Sequence, residues 1–383
     1  MISVIGYHTT KFGELWNKSL YDLVGEVIRG VLKDAKLEKE HCDAIFIGNM
    51  LGGVLENNLH SGAKVAEILD THIPVFHVES ACASGGIAFN MAVNYITAGK
   101  AHTVIVVGAE KMTDFPPDVT ISGLSAAASG DEQEVGLTFP GLYAMLARVY
   151  METYGYTEED LAYVSVKNHY HGFLNEYAHF RKQITIEDVL KSPYVASPLK
   201  VLDSSPISDG ASALIISSNH QLVAQAKYVA KILSSEVATD SISLKSRKRL
   251  DELLATKIAA DKAFDQAKID RKDISVAELH DCFSIAELLA MEDLGFWKKG
   301  TAGKRIKEYE TMHGNGNGFI VNTSGGLKAA GHPVGATGVK QIGEVYLQLT
   351  GRAGKRQVKK SRYGLAHNVG GSGGTAVVTI LGN

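Results

Sequence analysis

The sequence predicts an α/β fold built from two similar units that pack on each other. Three observations predict it: strand-like and helix-like segments alternate, the apolar segments are continuous, and the chain repeats itself. Continuous apolar runs are typical of strands that helices cover on both faces. We therefore expect sheets that lie between helix layers, with some antiparallel pairing from hairpins.

Short apolar segments give the strand predictions. These segments are residues 2–6, 103–110, 276–279, 361–369 and 375–381. The most regular of them, 103-TVIVVGAE-110, has a continuous apolar run at 104–107 that is followed by a glycine. It is therefore expected to be a strand that is covered on both faces.

Three pairs of segments show the internal repeat. The pairs are 31–49 with 263–281, 81–96 with 331–346, and 209–217 with 373–381. The second pair aligns Cys82 with His332. Because the pairs keep the same order in both halves of the chain, we interpret the protein as a duplicated α/β unit.

A longer stretch separates the second and third segments in the first half than in the second, which indicates an insertion. The predicted division is 1–113 with 206–240 for the first half, 114–205 for the insertion and 241–383 for the second half. The insertion has a helical stretch at 138–154. A long insertion with its own helices is typical of a lid or ligand-binding subdomain, and a dimerisation surface is the alternative.

Composition excludes several classes of function. The 383 residues carry a net charge of −3, so the chain as a whole does not attract nucleic acid or an anionic membrane. The start lacks a signal peptide's pattern, and no apolar run is long enough to span a bilayer. The 3 cysteines show no metal-ligand spacing. We expect a cytoplasmic protein with free thiols, no bound metal, and neither nucleic acid nor membrane as a partner.

Cys82 is the first candidate for chemistry. It lies in 78-VESACASGGIAFNMAVNYITAGK-100, where a loop with small residues leads into an apolar helix. The free N–H groups and the dipole at a helix N-terminus lower the pKa of a thiol and favour the nucleophilic thiolate. The alternative is a cysteine that fills a small pocket in the core.

His332, in 331-GHPVGATG-338, is the partner of Cys82 in the repeat. Two helices that begin face to face near a pseudo-twofold axis would bring the imidazole to the thiol, where it can accept the thiol proton. The alternative is a capping or core histidine.

Further polar residues follow two predicted strands. In 278-ELHDCFS-284, His280 and Cys282 come just after a strand, where sites in α/β units collect. We interpret Asp281 as the cap of a helix at 284–296. The glycines of 367-HNVGGSGG-374 expose N–H groups that can hold an oxyanion, although a tight hairpin turn explains them equally well.

These four segments, in this order, resemble the thiolase superfamily along nearly the whole chain. The motifs that carry the resemblance are 81-ACASGG-86, 331-GHPVGATG-338 and 369-VGGSGG-374. The motif 280-HDCF-283 is similar to the motif of archaeal and sterol-carrier-type thiolases at this place. The chain departs from many thiolases at Asn368, where they carry the cysteine that acts as general acid and base. Cys282 is the replacement that the resemblance implies.

The resemblance implies a five-layered αβαβα core with an inserted loop domain that covers the pantetheine arm of coenzyme A. It also implies condensation of two acetyl-CoA molecules to acetoacetyl-CoA, or the reverse thiolysis, with CoA thioesters as substrates and no separate cofactor. The resemblance implies that Cys82 is the nucleophile, that His332 is its base, and that Cys282 is the general acid and base. It implies that His280 and His332 hold the thioester oxygen of the substrate, and that the backbone N–H groups of Cys82 and Gly370 hold the oxyanion. It also implies a role in substrate binding for Ser324, Gly325 and Asn368.

For partners, the resemblance implies a homodimer or homotetramer. It further implies a complex with 3-hydroxy-3-methylglutaryl-CoA synthase through a small zinc-containing OB-fold protein, in the mevalonate route to isoprenoids. Two alternatives remain open: a ketoacyl-synthase-type condensing enzyme, and a non-catalytic lipid-carrier or assembly subunit. The acyl chain length is open too, with Leu142, Tyr143 and Met145 as candidates for the wall that limits it.

Overall fold

The computed structural model describes residues 1–315, 318–359 and 361–383. The strands are β1 (Ser3–Thr9), β2 (Ala44–Gly48), β3 (Val75–Val78), β4 (Thr103–Glu110), β5 (Tyr194–Ala196), β6 (Leu199–Lys200), β7 (Gly210–Ser217), β8 (Ala230–Thr239), β9 (Ile274–Glu278), β10 (Ile320–Val321), β11 (Tyr363–Gly370) and β12 (Thr375–Gly382).

The helices of the first half and the insertion are α1 (Leu20–Ala35), α2 (Ser61–Leu69), α3 (Ser84–Thr97), α4 (Pro117–Ser125), α5 (Gly130–Glu134), α6 (Phe139–Tyr154), α7 (Glu158–Leu174), α8 (Ile186–Lys191) and α9 (His220–Gln225). Those of the second half are α10 (Leu254–Ala267), α11 (Ser284–Asp293), α12 (Ala302–Lys307), α13 (Gly326–Ala330) and α14 (Val334–Leu349). Short 3-10 turns cover Lys39–His41, Val201–Asp203, Leu244–Ser246, Arg271–Asp273 and Gly354–Arg356.

Across the residues that the structure describes, the main sheet has ten strands in the order β10-β9-β11-β12-β8-β1-β7-β4-β2-β3. It consists of two five-stranded parts, each with parallel pairs at its outer end and antiparallel pairs towards the middle. The parts join where Ser3 and Val4 of β1 pair with Lys231 and Ala230 of β8. The predicted strands are confirmed, including their mixture of parallel and antiparallel pairing.

Helices cover both faces of each part of the sheet. On β4, Val104 and Val106 face the cluster that holds α3 and α14, whereas Ile105 and Val107 face the cluster that holds α1. Side chains on a strand point alternately to its two faces, so this strand contacts two helix layers at once. On the other side of α3 and α14 lies the second part of the sheet, which α10 and α11 cover. The expected layers α, β, α, β and α are confirmed.

The repeat is visible in local detail. Helices α1 and α10 both end in a lysine with left-handed backbone, Lys36 (φ 56°) and Lys268 (φ 54°). Each lysine precedes a 3-10 turn and then a strand, β2 or β9. In the second pair of repeated segments, α3 begins two residues after Cys82 and α14 begins two residues after His332. The two halves therefore present Cys82 and His332 from equivalent positions.

The residues between β4 and β7 form α4 to α8 and the hairpin of β5 and β6. Helix α6 covers the predicted helical stretch at 138–154. Strand β8, which the predicted division assigns to the first half, pairs along its length with β12 of the second. The division at 113, 205 and 240 stays a prediction.

Helices α3 and α14 approach each other closely because glycines face the contact. A Cβ atom on Gly85 would lie 2.5 Å from the carbonyl oxygen of Gly335, a separation that real Cβ atoms essentially never show. The small residues after Cys82 thus allow the two central helices to meet.

We expect Gly85→Ala to destabilise the protein by about 1–3 kcal/mol, because a methyl group at this contact forces the two helices apart. Gly130→Ala is the matched control, since a Cβ there has no neighbour within 4 Å. Thermal unfolding followed by circular dichroism measures the difference. An unfolding midpoint for Gly85→Ala equal to that of the control would contradict the packing described here.

Candidate active site

Cys82 lies in a tight turn between β3 and α3. The residue before it, Ala81, has a left-handed backbone with φ 49°, which costs a non-glycine residue about 1–2 kcal/mol. Ser84 stabilises the turn: its Oγ accepts the N–H of Ser80 at 2.9 Å and donates to the carbonyl oxygen of Ala81 at 2.6 Å. The turn holds the half-buried Cys82 ahead of the first residue of the helix.

The thiol of Cys82 lies next to two histidines from the other half of the chain. Its Sγ and one ring nitrogen each of His280 and His332 lie within 4.8 Å of one another. The two imidazole rings are almost perpendicular, at 84°, with their centroids 5.0 Å apart. Both histidines are buried, with 2% and 8% of their surface exposed.

A neighbouring hydroxyl determines the tautomer of His332. Its Nδ1 lies 2.7 Å from Oγ1 of Thr337, and that hydroxyl donates its proton to the carbonyl oxygen of Pro333 at 3.0 Å. A hydroxyl has one proton, so Oγ1 accepts from Nδ1–H. The Nε2 of His332 therefore carries a lone pair and can accept a proton.

Asn368 determines the opposite tautomer in His280. Its Oδ1 accepts the backbone N–H of Gly86 at 3.1 Å, which orients the amide group. The amide nitrogen then donates to the carbonyl oxygen of Cys82 at 3.0 Å and to Nδ1 of His280 at 3.2 Å. Because Nδ1 of His280 accepts a hydrogen bond, its Nε2 carries the proton and is a donor.

Burial keeps all three groups neutral. It lowers the pKa of His332 to about 3 and that of His280 well below its usual value, and it raises the pKa of the Cys82 thiol to about 12. Hydrogen bonding from the N–H of Gly371 opposes the rise at Cys82, while the nearby carboxylate of Glu110 adds to it. The expectation that the helix N-terminus lowers the pKa of Cys82 is therefore wrong for the free protein, because desolvation outweighs the dipole.

Two thiolase family models together match almost the whole chain. The thiolase N-terminal domain matches residues 2–220, and the thiolase C-terminal domain-like family matches residues 236–383. This chain belongs to the thiolase family. The resemblance expected from the motifs is confirmed.

Individual relatives agree with this assignment. The thiolase is 44% identical to the acetyl-CoA acetyltransferase of Methanothermobacter thermautotrophicus, over 99% of this chain and 99% of that protein. It is 33% identical to sterol carrier protein 2 of Bos taurus, over 99% of this chain and 72% of that protein. A solved Ltp2-ChsH2(DUF35) aldolase has a TM-score of 0.85 at 23% identity, over 100% of this chain and 97% of that chain, which shows a shared fold.

Cys282 of this thiolase is buried, with 7% of its surface exposed, and burial raises the pKa of its thiol to about 12. Hydrogen bonding from the Tyr143 hydroxyl and the charge of buried Lys328 lower that pKa, whereas the charges of Cys82 and Asp281 raise it. The interaction between the two thiols places Cys282 close to the Cys82 cluster. Its role as acid and base stays a prediction.

Asp281 does not cap the helix that follows it. The N-cap residue of α11 is Phe283, and the Asp281 carboxylate instead accepts the N–H of Leu327 at 2.6 Å and the side-chain amide of Asn168 at 2.7 Å. The interpretation of Asp281 as the cap of 284–296 is therefore wrong, because its carboxylate turns to α13. The contact ties the strand end that carries His280 to the segment that leads to His332.

The remaining predicted site residues lie just before α13 and at the end of β11. The Ser324 hydroxyl is buried and donates to the carboxylate of Glu278 at 2.5 Å, and Gly325 has a left-handed backbone with φ 102° at the start of α13. A Cβ on Gly370 would lie 2.7 Å from the carbonyl oxygen of Ser80, so this glycine lies against the turn that carries Cys82. The roles of Ser324 and Gly325 in substrate binding, and of Gly370 in the oxyanion hole, stay predictions.

The donor types of the cluster are those that hold zinc: a thiolate sulfur and imidazole nitrogens. However, Nε2 of His280 carries a proton as long as Asn368 donates to its Nδ1. A protonated nitrogen is not a ligand, so zinc binding there requires the Asn368 contact to break. The arrangement suits proton transfer and hydrogen bonding to an oxygen.

Sequence reasoning missed Thr337 and Gly371. Thr337 lies inside the quoted 331-GHPVGATG-338 motif, one turn into the helix after the histidine, and that position was the available signal. Gly371 is adjacent to Gly370 in the glycine-rich turn, where spacing alone does not distinguish the two N–H groups. Among the helices that the structure describes, none has both the length and the apolar character needed to cross a membrane.

We expect Thr337→Val to slow acetylation of Cys82 about 10- to 100-fold, because the buried Nδ1–H of His332 loses its acceptor and the ring its orientation. Thr120→Val is the matched control: Thr120 is also a buried threonine that donates to a carbonyl oxygen, that of Met112. Rapid quenching and mass spectrometry measure the adduct. Equal rates in the two variants would refute the tautomer argument.

We expect the rate of Cys82 acetylation to stay nearly constant between pH 8 and pH 5. A histidine is neutral, and therefore basic, above its pKa, and the pKa of His332 is about 3. The thiol also stays protonated over this range, because its pKa is about 12. A rate that fell towards acid with a midpoint near the usual histidine value of about 6.5 would show that His332 is not held in this buried, neutral state.

Proposed function

We propose that this thiolase is an acetyl-CoA acetyltransferase that joins two acetyl-CoA molecules to acetoacetyl-CoA and CoA, or runs the reverse thiolysis. The observation that carries the proposal is the distance within 4.8 Å between the Cys82 sulfur and a ring nitrogen of His332, whose neutral imidazole has an unprotonated Nε2. The identity of 44% to the Methanothermobacter acetyl-CoA acetyltransferase supports the choice of substrate.

In the first half-reaction, Nε2 of His332 accepts the proton of the Cys82 thiol while the sulfur attacks the thioester carbon of acetyl-CoA. The carbon–sulfur bond to CoA breaks, and the imidazolium returns the proton to the departing CoA sulfur. The products are acetyl-Cys82 and CoA. A neutral starting pair suits this step, because the charge forms only during the reaction and inside a low-dielectric pocket.

In the second half-reaction, Cys282 becomes a thiolate and its proton passes to His332. The thiolate then removes a proton from the α-carbon of a second acetyl-CoA. The enolate oxygen receives hydrogen bonds from Nε2–H of His280 and of the protonated His332. The carbanion attacks acetyl-Cys82, and the released Cys82 sulfur takes the proton of His332, which restores every group.

Backbone N–H groups would stabilise the tetrahedral oxyanion on acetyl-Cys82. We assign this role to Cys82 and Gly370, and the contact of Gly370 with the Cys82 turn supports it. One such donor typically contributes about 10²–10³ in rate. CoA thioesters serve as substrates, and sulfur and imidazole groups of the chain move every proton in the scheme.

We also propose a cytoplasmic homodimer or homotetramer that supplies acetoacetyl-CoA to the mevalonate route. Within the described residues, β3 is one of the two edge strands of the main sheet, and Phe76 on it is 38% exposed, which supports an intermolecular contact there. We extend the proposal to 3-hydroxy-3-methylglutaryl-CoA synthase and a small zinc-containing OB-fold protein as partners. Co-purification from the source cell tests it, and isolation as a lone homo-oligomer would count against these partners.

We expect acetyl-CoA to label Cys82 and wild-type protein to cleave acetoacetyl-CoA with free CoA. Cys82→Ala should abolish both activities and keep the fold. Cys282→Ala should still be acetylated but lose carbon–carbon bond formation by at least about 10²-fold, the usual contribution of a general acid or base. Mass spectrometry of the labelled peptide and a thiolysis assay measure these outcomes.

Cys42→Ala is the matched control, because Cys42 is buried in the cluster around α1, away from the site. Activity only with acyl-carrier-protein thioesters would instead support a ketoacyl-synthase-type enzyme, which uses a similar cysteine and two histidines. Absence of any acetyl adduct would support a non-catalytic carrier or assembly subunit. Near-normal condensation by Cys282→Ala would refute the acid and base assignment alone.

A further inference from the structure

Tyr143 is a buried tyrosine of the inserted region that has no task in the scheme above. It lies on α6 and only 1% of its surface is exposed. Its ring packs against Phe283, the residue after Cys282, with the ring centroids 4.8 Å apart. Burial of a tyrosine at a site is favourable only when its hydroxyl has partners.

The Tyr143 hydroxyl has partners on both sides of the active site. It donates to the carbonyl oxygen of Gly371 at 3.1 Å. It also lies close enough to the Cys282 thiol for hydrogen bonding from the hydroxyl to lower the pKa of Cys282. Since the N–H of Gly371 in turn reaches the Cys82 sulfur, Tyr143 joins the surroundings of the two thiols.

The contact between the Tyr143 hydroxyl and the Cys282 sulfur has two states, which differ in the direction of the hydrogen bond. While Tyr143 donates its one proton to Gly371, its oxygen can accept the S–H of Cys282. When Cys282 is a thiolate, the sulfur can only accept, so the hydroxyl proton must turn to it. Burial raises the pKa of Tyr143 well above its usual value, so the phenol stays protonated and remains a donor in both states.

We propose that Tyr143 is a positioning residue that stabilises the Cys282 thiolate by turning its hydroxyl proton from the Gly371 carbonyl oxygen to the sulfur. This inference rests on the proposed function, in which Cys282 removes the α-proton. It gives the inserted region a part in proton transfer. Because acetylation of Cys82 does not use the Cys282 thiolate, the hydroxyl acts on carbon–carbon bond formation alone.

Tyr143→Phe tests the proposal. Hydrogen bonds to charged groups are strong, so kcat for synthesis should fall about 10- to 100-fold while KM changes little. The rate of Cys82 acetylation should stay at the wild-type value. Tyr150→Phe is the matched control, because Tyr150 is buried on the same helix but donates to Glu292 at 2.7 Å.

A second measurement does not depend on turnover. In a Cys42→Ala, Cys82→Ala background, Cys282 is the single cysteine of the chain. At a fixed pH well below the pKa of Cys282, the rate at which iodoacetamide alkylates it, followed by mass spectrometry, is proportional to its thiolate fraction. Adding Tyr143→Phe should slow this alkylation about 10-fold or more, which corresponds to a rise of about one unit in the pKa of Cys282. Adding Tyr150→Phe should leave the alkylation rate unchanged.

Two results would overturn the role of Tyr143 while the proposed function stands. One is an active wild-type enzyme whose Tyr143→Phe variant matches Tyr150→Phe in kcat and in the rate of Cys282 alkylation. The other is a Tyr143→Phe variant that loses acetylation and condensation in parallel, which indicates a structural role. Wild-type protein that neither acetylates Cys82 nor forms acetoacetyl-CoA would overturn the proposed function, and this inference with it.

Discussion

The amide group of Asn368 is the contact on which the rest of the active site depends. It comes from β11 of the second half, accepts the N–H of Gly86 on α3, and donates both to the Cys82 carbonyl oxygen and to His280. A Cβ on Gly86 would lie 2.8 Å from its Oδ1, so the amide fits only because this position is glycine. One side chain thus joins the halves, holds the nucleophile's turn and determines the tautomer of a histidine.

Low polarity around these groups shapes their chemistry. A thiol and two imidazoles that were exposed to water would exchange protons with solvent over the physiological pH range. Burial instead shifts the pKa of Cys82 upwards and that of His332 downwards, so the pair rests uncharged. Charge then develops only when a substrate is attacked, and the fixed donors around it have no need to reorient. The same desolvation increases the contribution that each hydrogen bond to a sulfur makes to the stability of the thiolate.

Much of the fold and the set of reactive residues follow from the sequence, because they depend on patterns along the chain. Continuous apolar runs mark doubly covered strands, and the repeat aligns Cys82 with His332 and so predicts their encounter. Two local interpretations fail for a physical reason. The pKa of Cys82 depends on desolvation by residues distant in the chain, and Asp281 prefers α13, which no local pattern reveals. Thr337 and Tyr143 act through contacts at atomic distance, which spacing in a sequence does not specify.

The equivalence of Cys82 and His332 in the two halves has a historical consequence. A gene formed by fusing two identical copies would first encode a symmetric pocket, with either two sulfurs or two imidazoles at the meeting point. In such a pocket the two groups are chemically identical, so it does not contain a nucleophile together with a different group that serves as its base. In such a pocket, one substitution that makes the two positions unlike is enough to place a nucleophile beside its base.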